Sequence, residues 1–191
     1  AIAEMAAFFS SHGIKTMVLK GYACSLDWPK PAHRPAGDID IWQFGKYKEA
    51  DALLKEKGIS VDASHHHHTV FYWRSFMVEN HYDFINVHHH KSHREMECIF
   101  KELGQDDSFT VEVNGQIVYI PSPNLHALFL LKHLMLHFAS GEISLRQLLD
   151  WEFFAEKHSA DIDWKWLNET IDHFGMTGAY NIFNAICIED L

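Results

Sequence analysis

The sequence predicts an α+β fold: a mixed α/β part over residues 1–121, then a helical part over 122–191. Three observations carry this. Short runs rich in β-branched and aromatic residues, such as Thr69–Arg74 and Phe76–His81, read as strands. Asn114-Gly115 separates two alternating apolar runs, the signature of a type I′ hairpin. After Pro121 and Pro123 the composition shifts, and every later apolar segment has helical spacing.

The elements follow in order. Ile2, Met5, Ala6 and Phe9 recur at intervals of three and four, so 2–11 is an amphipathic helix that ends at Gly13. Ile14–Leu19 is the first strand. Tyr22–Trp28 is a short helix that starts at the Gly21 turn and is closed by Pro29 and Pro31. Three prolines and a glycine make 29–37 a loop, which leads into strand 38–42. Tyr47, Ala50, Leu53 and Leu54 mark a helix over 46–57, ended by Gly58, with a short strand at 59–62. The paired runs at 69–74 and 76–81 form a hairpin. Met96, Ile99, Phe100 and Leu103 share one face of a helix over 91–103. The hairpin 109–113/116–120 follows, and then helices over 125–138, 145–157, 163–174 and 177–188.

At 22.2 kDa the chain can bury a real core. Its formal net charge is −10 and it has no stripe of Lys or Arg, which disfavours a nucleic-acid partner, because phosphate contacts supply most of that affinity. No apolar run approaches the length of a membrane span, so no membrane is expected. Cys24, Cys98 and Cys187 are widely spaced and odd in number, as in the reduced thiols of a cytoplasmic protein. The sequence starts at Ala1 and stops after an apolar stretch, as a fragment of a longer protein would.

Asp38-Ile39-Asp40 holds the most chemical information. Residues i and i+2 of a strand share a face, so two carboxylates stand side by side while Ile39 and Ile41 point into a core. Such a pair repels unless a cation intervenes, and a divalent ion with oxygen ligands is a common solution. A solvated strand end is the other. Sixteen histidines are the second oddity. His65–His68, His88–His90 and His93 suggest zinc. Consecutive strand residues alternate faces, however, so one run cannot aim every ring at a single ion; exposed or substrate-lining histidines are the alternative. His133 and His137 have the i,i+4 spacing of metal ligands but lie among Leu130, Leu131, Leu134, Leu136 and Phe138, which favours helix packing. Arg146 and Asp150, also i,i+4, predict an intrahelical salt bridge.

The run Met17-Val18-Leu19-Lys20-Gly21, then Arg34, then Gly37-Asp38-Ile39-Asp40-Ile41 resembles the nucleotidyltransferase fold of the DNA polymerase β superfamily, where a glycine turn precedes an Asp-x-Asp strand. It is most similar to a group of largely uncharacterised bacterial nucleotidyltransferases. Val78-Glu79-Asn80-His81-Tyr82 is similar to that group's Val-Glu-x-His-aromatic signature. Leu131-Lys132-His133, His137, Arg146 and Asp150 resemble its helical continuation.

The resemblance implies a mixed sheet with flanking helices, and it implies that Asp38, Asp40 and Glu79 are catalytic and hold two Mg2+ or Mn2+ ions. Lys20, Gly21 and Arg34 would contact the nucleotide's phosphates. Many relatives have Gly-Ser where this chain has Lys-Gly, and Ser25, a helical turn onward, is the substitute candidate. His81 would support Glu79 or touch substrate. Plainer roles stand beside these: Glu79 facing water, Lys20 a surface lysine, His81 packed in the interior. The implied activity is metal-dependent transfer of NMP from an NTP, with ATP as first candidate, to a small-molecule or protein hydroxyl. A catalytically silent nucleotide- or partner-binding module and a histidine-rich zinc protein are the alternatives.

Overall fold

The β-branched and aromatic runs become seven short strands: β1 (Met17–Val18), β2 (Ile39–Trp42), β3 (Val61–Asp62), β4 (His68–Trp73), β5 (Phe76–His81), β6 (Thr110–Val113) and β7 (Gln116–Tyr119). They form one mixed sheet in the order β3-β4-β5-β2-β1-β7-β6. The β2·β5 and β1·β7 pairs are parallel and the others antiparallel. The helices are α1 (Ile2–Ser10), α2 (Tyr22–Ser25), α3 (Tyr47–Glu56), α4 (Lys91–Gly104), α5 (Pro123–Ser140), α6 (Leu145–Lys157), α7 (Trp164–His173) and α8 (Thr177–Glu189), with a 3-10 turn at Pro31–His33. This is a computed structural model that describes residues 1–88 and 90–189; His89, in the second histidine run, and residues 190–191 lie outside it. The chain forms two compact units, Ala1–Ala23 with Ala36–Ser122, and Cys24–Pro35 with Pro123–Leu191.

In the first unit the two-residue period of the strands sorts the side chains. Ile39, Ile41, Val78, Phe71 and Trp73 share one face of the sheet and pack with Met5, Ala6 and Phe9 of α1 and Ala50 and Leu54 of α3. Asp51 of α3 is buried against the same face, where it accepts hydrogen bonds from Thr69 Oγ1 (3.0 Å) and Asn80 Nδ2 (3.1 Å). The alternate residues, Asp40, Glu79, His81 and His68, therefore point to the other face. The β6–β7 turn has positive φ at both Asn114 (49°) and Gly115 (78°), as type I′ requires.

Several elements are shorter than the sequence pattern predicts, β1, β3 and α2 most of all. The Ile14 amide bonds to Phe9 O (3.0 Å) and closes α1, which leaves only Met17–Val18 as strand. α2 stops at Ser25, because Asp27 and Trp28 are drawn away by α6. Lys157 Nζ and His158 Nε2 lie 3.2 and 3.1 Å from Asp27 Oδ1, and Trp28 Nε1 donates to Asp150 at 2.8 Å.

The second unit is built on α5, whose residues Leu125–Lys132 are all buried. Trp151 and Phe154 of α6, Leu167 and Ile171 of α7 and Phe183 of α8 complete its core. The Arg146–Asp150 pair does not form. Asp150 instead takes Arg34, with Nε–Oδ1 at 2.7 Å and Nη2–Oδ2 at 2.8 Å, and Arg146 Nε has no hydrogen-bond partner among the described residues. A buried two-point guanidinium fork outcompetes a single-turn helix pair worth about 0.3–0.5 kcal/mol. The rings of His133 and His137 lie 4.3 Å apart on α5, and neither belongs to a group of three potential metal ligands among the described residues. Among the described residues no helix is long and apolar enough to cross a membrane.

Candidate functional site

Parallel pairing of β2 with β5 sets Asp40 opposite Glu79 and Trp42 opposite His81, and antiparallel pairing of β4 with β5 sets His68 opposite His81. Four chemically active side chains thus share one face of three neighbouring strands. Asp38, two residues before Asp40, enters on that face from the loop. The loop is held close at Gly21, whose φ is +65° and whose added Cβ would lie 3.1 Å from Asp38 O. A side chain there would be strained twice, by conformation and by contact. Leu19 N donates to Asp40 O at 2.9 Å and fixes the same approach.

Asp40 is 1% exposed. Its Oδ1 lies 3.0 Å from Lys20 Nζ and 3.2 Å from His81 Nε2, while its buried Oδ2 has no hydrogen-bond partner among the described residues. Glu79 Oε2 is 3.6 Å from His81 Nε2 and 3.8 Å from His68 Nδ1. His81 Nδ1 lies 3.2 Å from Asp83 O, and a carbonyl only accepts, so this nitrogen carries the proton and Nε2 faces the carboxylates.

These distances set the charge states. Burial penalises ionised Asp40, but Lys20 and His81 outweigh it and hold the carboxyl well below its usual range. Burial opposes charge on His81 as well, yet its hydrogen bonds to Asp40 and Glu79 raise it to about 9. Burial pulls Lys20 down, and Asp40 and Asp38 more than reverse that. Burial and the Asp40 charge push Asp38 up, against Lys20. Glu79 is lowered on balance: burial raises it and the His81 hydrogen bond overcomes this. Burial and positive neighbours depress His67 and His68 to about 4. The charge on Asp40 is therefore compensated inside the chain, by two cations that the Asp-x-Asp pattern does not reveal, while Asp38 remains pushed up beside it.

The sequence-nominated residues divide between the units. Lys20, Gly21, Asp38, Asp40, Glu79 and His81 all belong to the first. Ser25 and Arg34 belong to the second, where Arg34 is engaged by Asp150. Among the described residues, ligand atoms within 4.8 Å of one another belong to Asp40, Glu79 and His81, and to His67, His68 and His81. As the alternation of strand faces implies, the run does not aim every ring at one point: His67 and His68 reach His81, and His65 and His66 belong to neither group. The neighbours His67 and His68 gather because the chain bends at 65–67 before β4 begins at His68. The buried Asp40 Oδ2, an anionic atom with no donor, fits a hard divalent cation that takes oxygen ligands.

The fold is similar to those of solved structures at low identity. The solution structure of the antibiotic-resistance factor ANT(2'')-Ia matches with a TM-score of 0.62 and 10% identity over 96% of this chain and 95% of that one. The crystal structure of ANT(2'')-Ia with adenylyl-2''-tobramycin gives 0.59 and 10% over 94% and 96%. An antigenic nucleotidyltransferase-like protein from Paracoccidioides brasiliensis gives 0.54 and 17% over 81% and 73%. Comparison with curated proteins gives no match. The family described as uncharacterised nucleotidyltransferase matches residues 1–187, and with that span covered the chain belongs to this nucleotidyltransferase family.

Proposed function

We propose that the chain transfers NMP from an NTP, ATP being the first candidate, to a hydroxyl of a small molecule or protein. Asp38, Asp40 and Glu79 are the catalytic carboxylates and the ligands for Mg2+ or Mn2+. One observation carries the reading: on the sheet face of a nucleotidyltransferase-family chain, Asp40 stands in register with Glu79 and keeps a buried oxygen without a donor. The divalent ions, when bound, would neutralise the triphosphate and the attacking oxygen. The chain's own residues supply the rest. Asp40 presents its carboxylate from β2, Asp38 from the loop just before it, and Glu79 from β5. His81, anchored by Asp83 O, orients Glu79 and Asp40. Lys20, 3.0 Å from Asp40, is a flexible ammonium that would turn to phosphate once Asp40 holds an ion. Gly21 keeps the backbone amide side open to phosphate. Ser25 and Arg34 are further phosphate candidates, and Arg34 must leave Asp150 to serve.

The acceptor class draws on two supports. The net charge of −10 disfavours a polyanion. One similar structure holds an adenylylated small molecule, adenylyl-2''-tobramycin. A second reading, a catalytically silent nucleotide- or partner-binding module, draws on the Lys20 and His81 contacts that already neutralise Asp40.

The test is incubation with each labelled NTP, Mg2+ or Mn2+ and cell extract. The transferase reading expects a labelled product that disappears with Asp40→Asn and with Glu79→Gln. Nucleotide binding by calorimetry without any labelled product, for all four NTPs and both metals, would favour the silent module.

A further inference from the structure

We propose that His67, His68 and His81, with Glu79 alongside, form a binding site for one divalent transition-metal ion, Zn2+ fitting best, distinct in ligand type from the carboxylate oxygen site. The proposal goes beyond the transferase reading and needs no nucleotide.

The three rings form one cluster. Centroids lie 4.4 Å apart for His67–His68, 5.2 Å for His68–His81 and 5.5 Å for His67–His81, and one nitrogen of each lies within 4.8 Å of the others. Imidazoles gathered this closely would be expected to hydrogen-bond. Yet Nδ1 of His67 and Nδ1 of His68 are both buried and have no hydrogen-bond partner among the described residues. His68 is 7% exposed, so its nitrogen gains little from water, and Glu79 Oε2 at 3.8 Å is too far for a hydrogen bond. Burying two ring nitrogens with nothing to bond costs on the order of 1–3 kcal/mol each. A shared electrophile explains why the arrangement is kept.

A metal ion meets the geometry. Tetrahedral Zn2+ with bonds of about 2.1 Å holds its ligand atoms about 3.4 Å apart, so the nitrogens need close by little more than an ångström. His67 lies in the bent segment 65–67, where its carbonyl accepts from the amides of Tyr82 (3.1 Å) and Asp83 (3.0 Å), which anchors the backbone and leaves ring rotation as the adjustment that closes the site. His81 already shows the outer contact of a metal ligand: its Nδ1–H faces Asp83 O, and Nε2, now 3.2 Å from Asp40 Oδ1, would exchange its proton for the ion. Glu79 Oε2, 3.8 Å from His68 Nδ1 and 3.6 Å from His81 Nε2, lies on the same face and would add an oxygen ligand when no nucleotide-bound ion claims it. Three imidazoles and one carboxylate suit Zn2+ or Co2+ and disfavour Mg2+, which prefers an all-oxygen octahedron. His65 and His66 are exposed and belong to neither ligand group among the described residues, which makes them controls for adventitious binding by a histidine run.

The experiment uses the full chain, stripped with a chelator and titrated with Co2+ alone, then with Zn2+. One equivalent of Co2+ should give the visible bands of a four-coordinate site, and Zn2+ should displace it with a rise in melting temperature. Millimolar Mg2+ should leave the bands unchanged. His67→Ala and His68→Ala should each weaken Co2+ binding by at least about tenfold, while the His65→Ala/His66→Ala double variant keeps it. If His68→Ala fails to fold, His68→Gln, polar and of similar length, is read instead. The idea is overturned if Co2+ shows only octahedral, weakly absorbing binding, if His67 and His68 variants bind as tightly as the parent, or if the His65/His66 pair alone abolishes the signal. With no nucleotide present, loss or survival of NMP transfer does not affect any of these outcomes.

Discussion

At Asp40 a carboxylate that is 1% exposed persists as an anion because Lys20 Nζ and His81 Nε2 stand 3.0 and 3.2 Å from one oxygen. Removing one partner of a buried cluster strands the other charges, which typically costs 3–5 kcal/mol. Asp40→Asn should therefore lower stability in EDTA by roughly 3 kcal/mol. Asp38→Asn should be neutral or slightly stabilising, because burial and Asp40 already push that carboxyl toward its neutral form. Urea denaturation of both variants checks this, and an Asp40→Asn protein as stable as the parent would show that Lys20 and His81 do not hold the anion. That Asp40 faces away from Ile39 and Ile41 was legible in the sequence, because a period of two needs no partner to be read. The Lys20 contact was not, since it depends on the positive φ of Gly21 turning the chain back. Glu97 gives a second prediction. It is 4% exposed, accepts from the amides of Phe84 (3.0 Å) and Ile85 (3.1 Å), and burial raises its carboxyl to about 7. In this pH range the folded state holds a proton that the unfolded chain has released. Stability should then fall as pH rises from the ordinary 4.5 toward 7 and level off above, by up to about 3 kcal/mol. Glu97→Gln should lose that slope when melts of the two proteins are compared from pH 4.5 to 8. A parallel pair of curves would place Glu97 outside the linkage.

At the scale of elements, α4 is held where it is by its last residue. A Cβ on Gly104 would lie 3.0 Å from the Trp42 ring and 3.1 Å from Phe84. Trp42 is 1% exposed at the end of the strand that carries Asp40, so it has little room to give. Gly104→Ala should cost about 1–3 kcal/mol by overpacking, although alanine is the better helix former. Thermal melts decide it, and a stabilised variant would mean that helix propensity outweighs the contact. Nothing in the pattern of α4 distinguished Gly104 from an ordinary helix end, because the demand comes from a ring 62 positions earlier in the chain. Where local chemistry suffices, the elements could be read directly. Asn114-Gly115 gave the hairpin, and the helix read over 163–174 starts where Asp163 accepts from Trp166 N at 3.0 Å. Where a tertiary partner decides, they could not. α2 loses its last turn to the bonds that Asp27 and Trp28 make with α6.

For the molecule as a whole, charge is the property that constrains partners most. Twenty-six acidic residues face 16 lysines and arginines. Of these cations, Lys15, Lys20, Arg34, Arg74, Lys101 and Lys157 are already engaged by Asp107, Asp40, Asp150, Glu4, Asp83 and Asp27. Affinity for a nucleic acid grows with each phosphate neutralised, because condensed counterions are released. A chain that already pairs these cations with its own carboxylates and carries a net −10 has few contacts to offer and a field that repels the approaching polymer. A mobility-shift assay with RNA and single-stranded DNA should therefore show no discrete complex at micromolar protein, even near 50 mM salt, where counterion release favours binding most. ATP should behave differently. Its triphosphate needs only a local cluster of donors, so Mg2+ with ATP should raise the melting temperature by mass action while the polymers leave it unchanged. Tight RNA binding that weakens steeply between 50 and 200 mM salt would reverse the argument and make a polynucleotide the acceptor to test first.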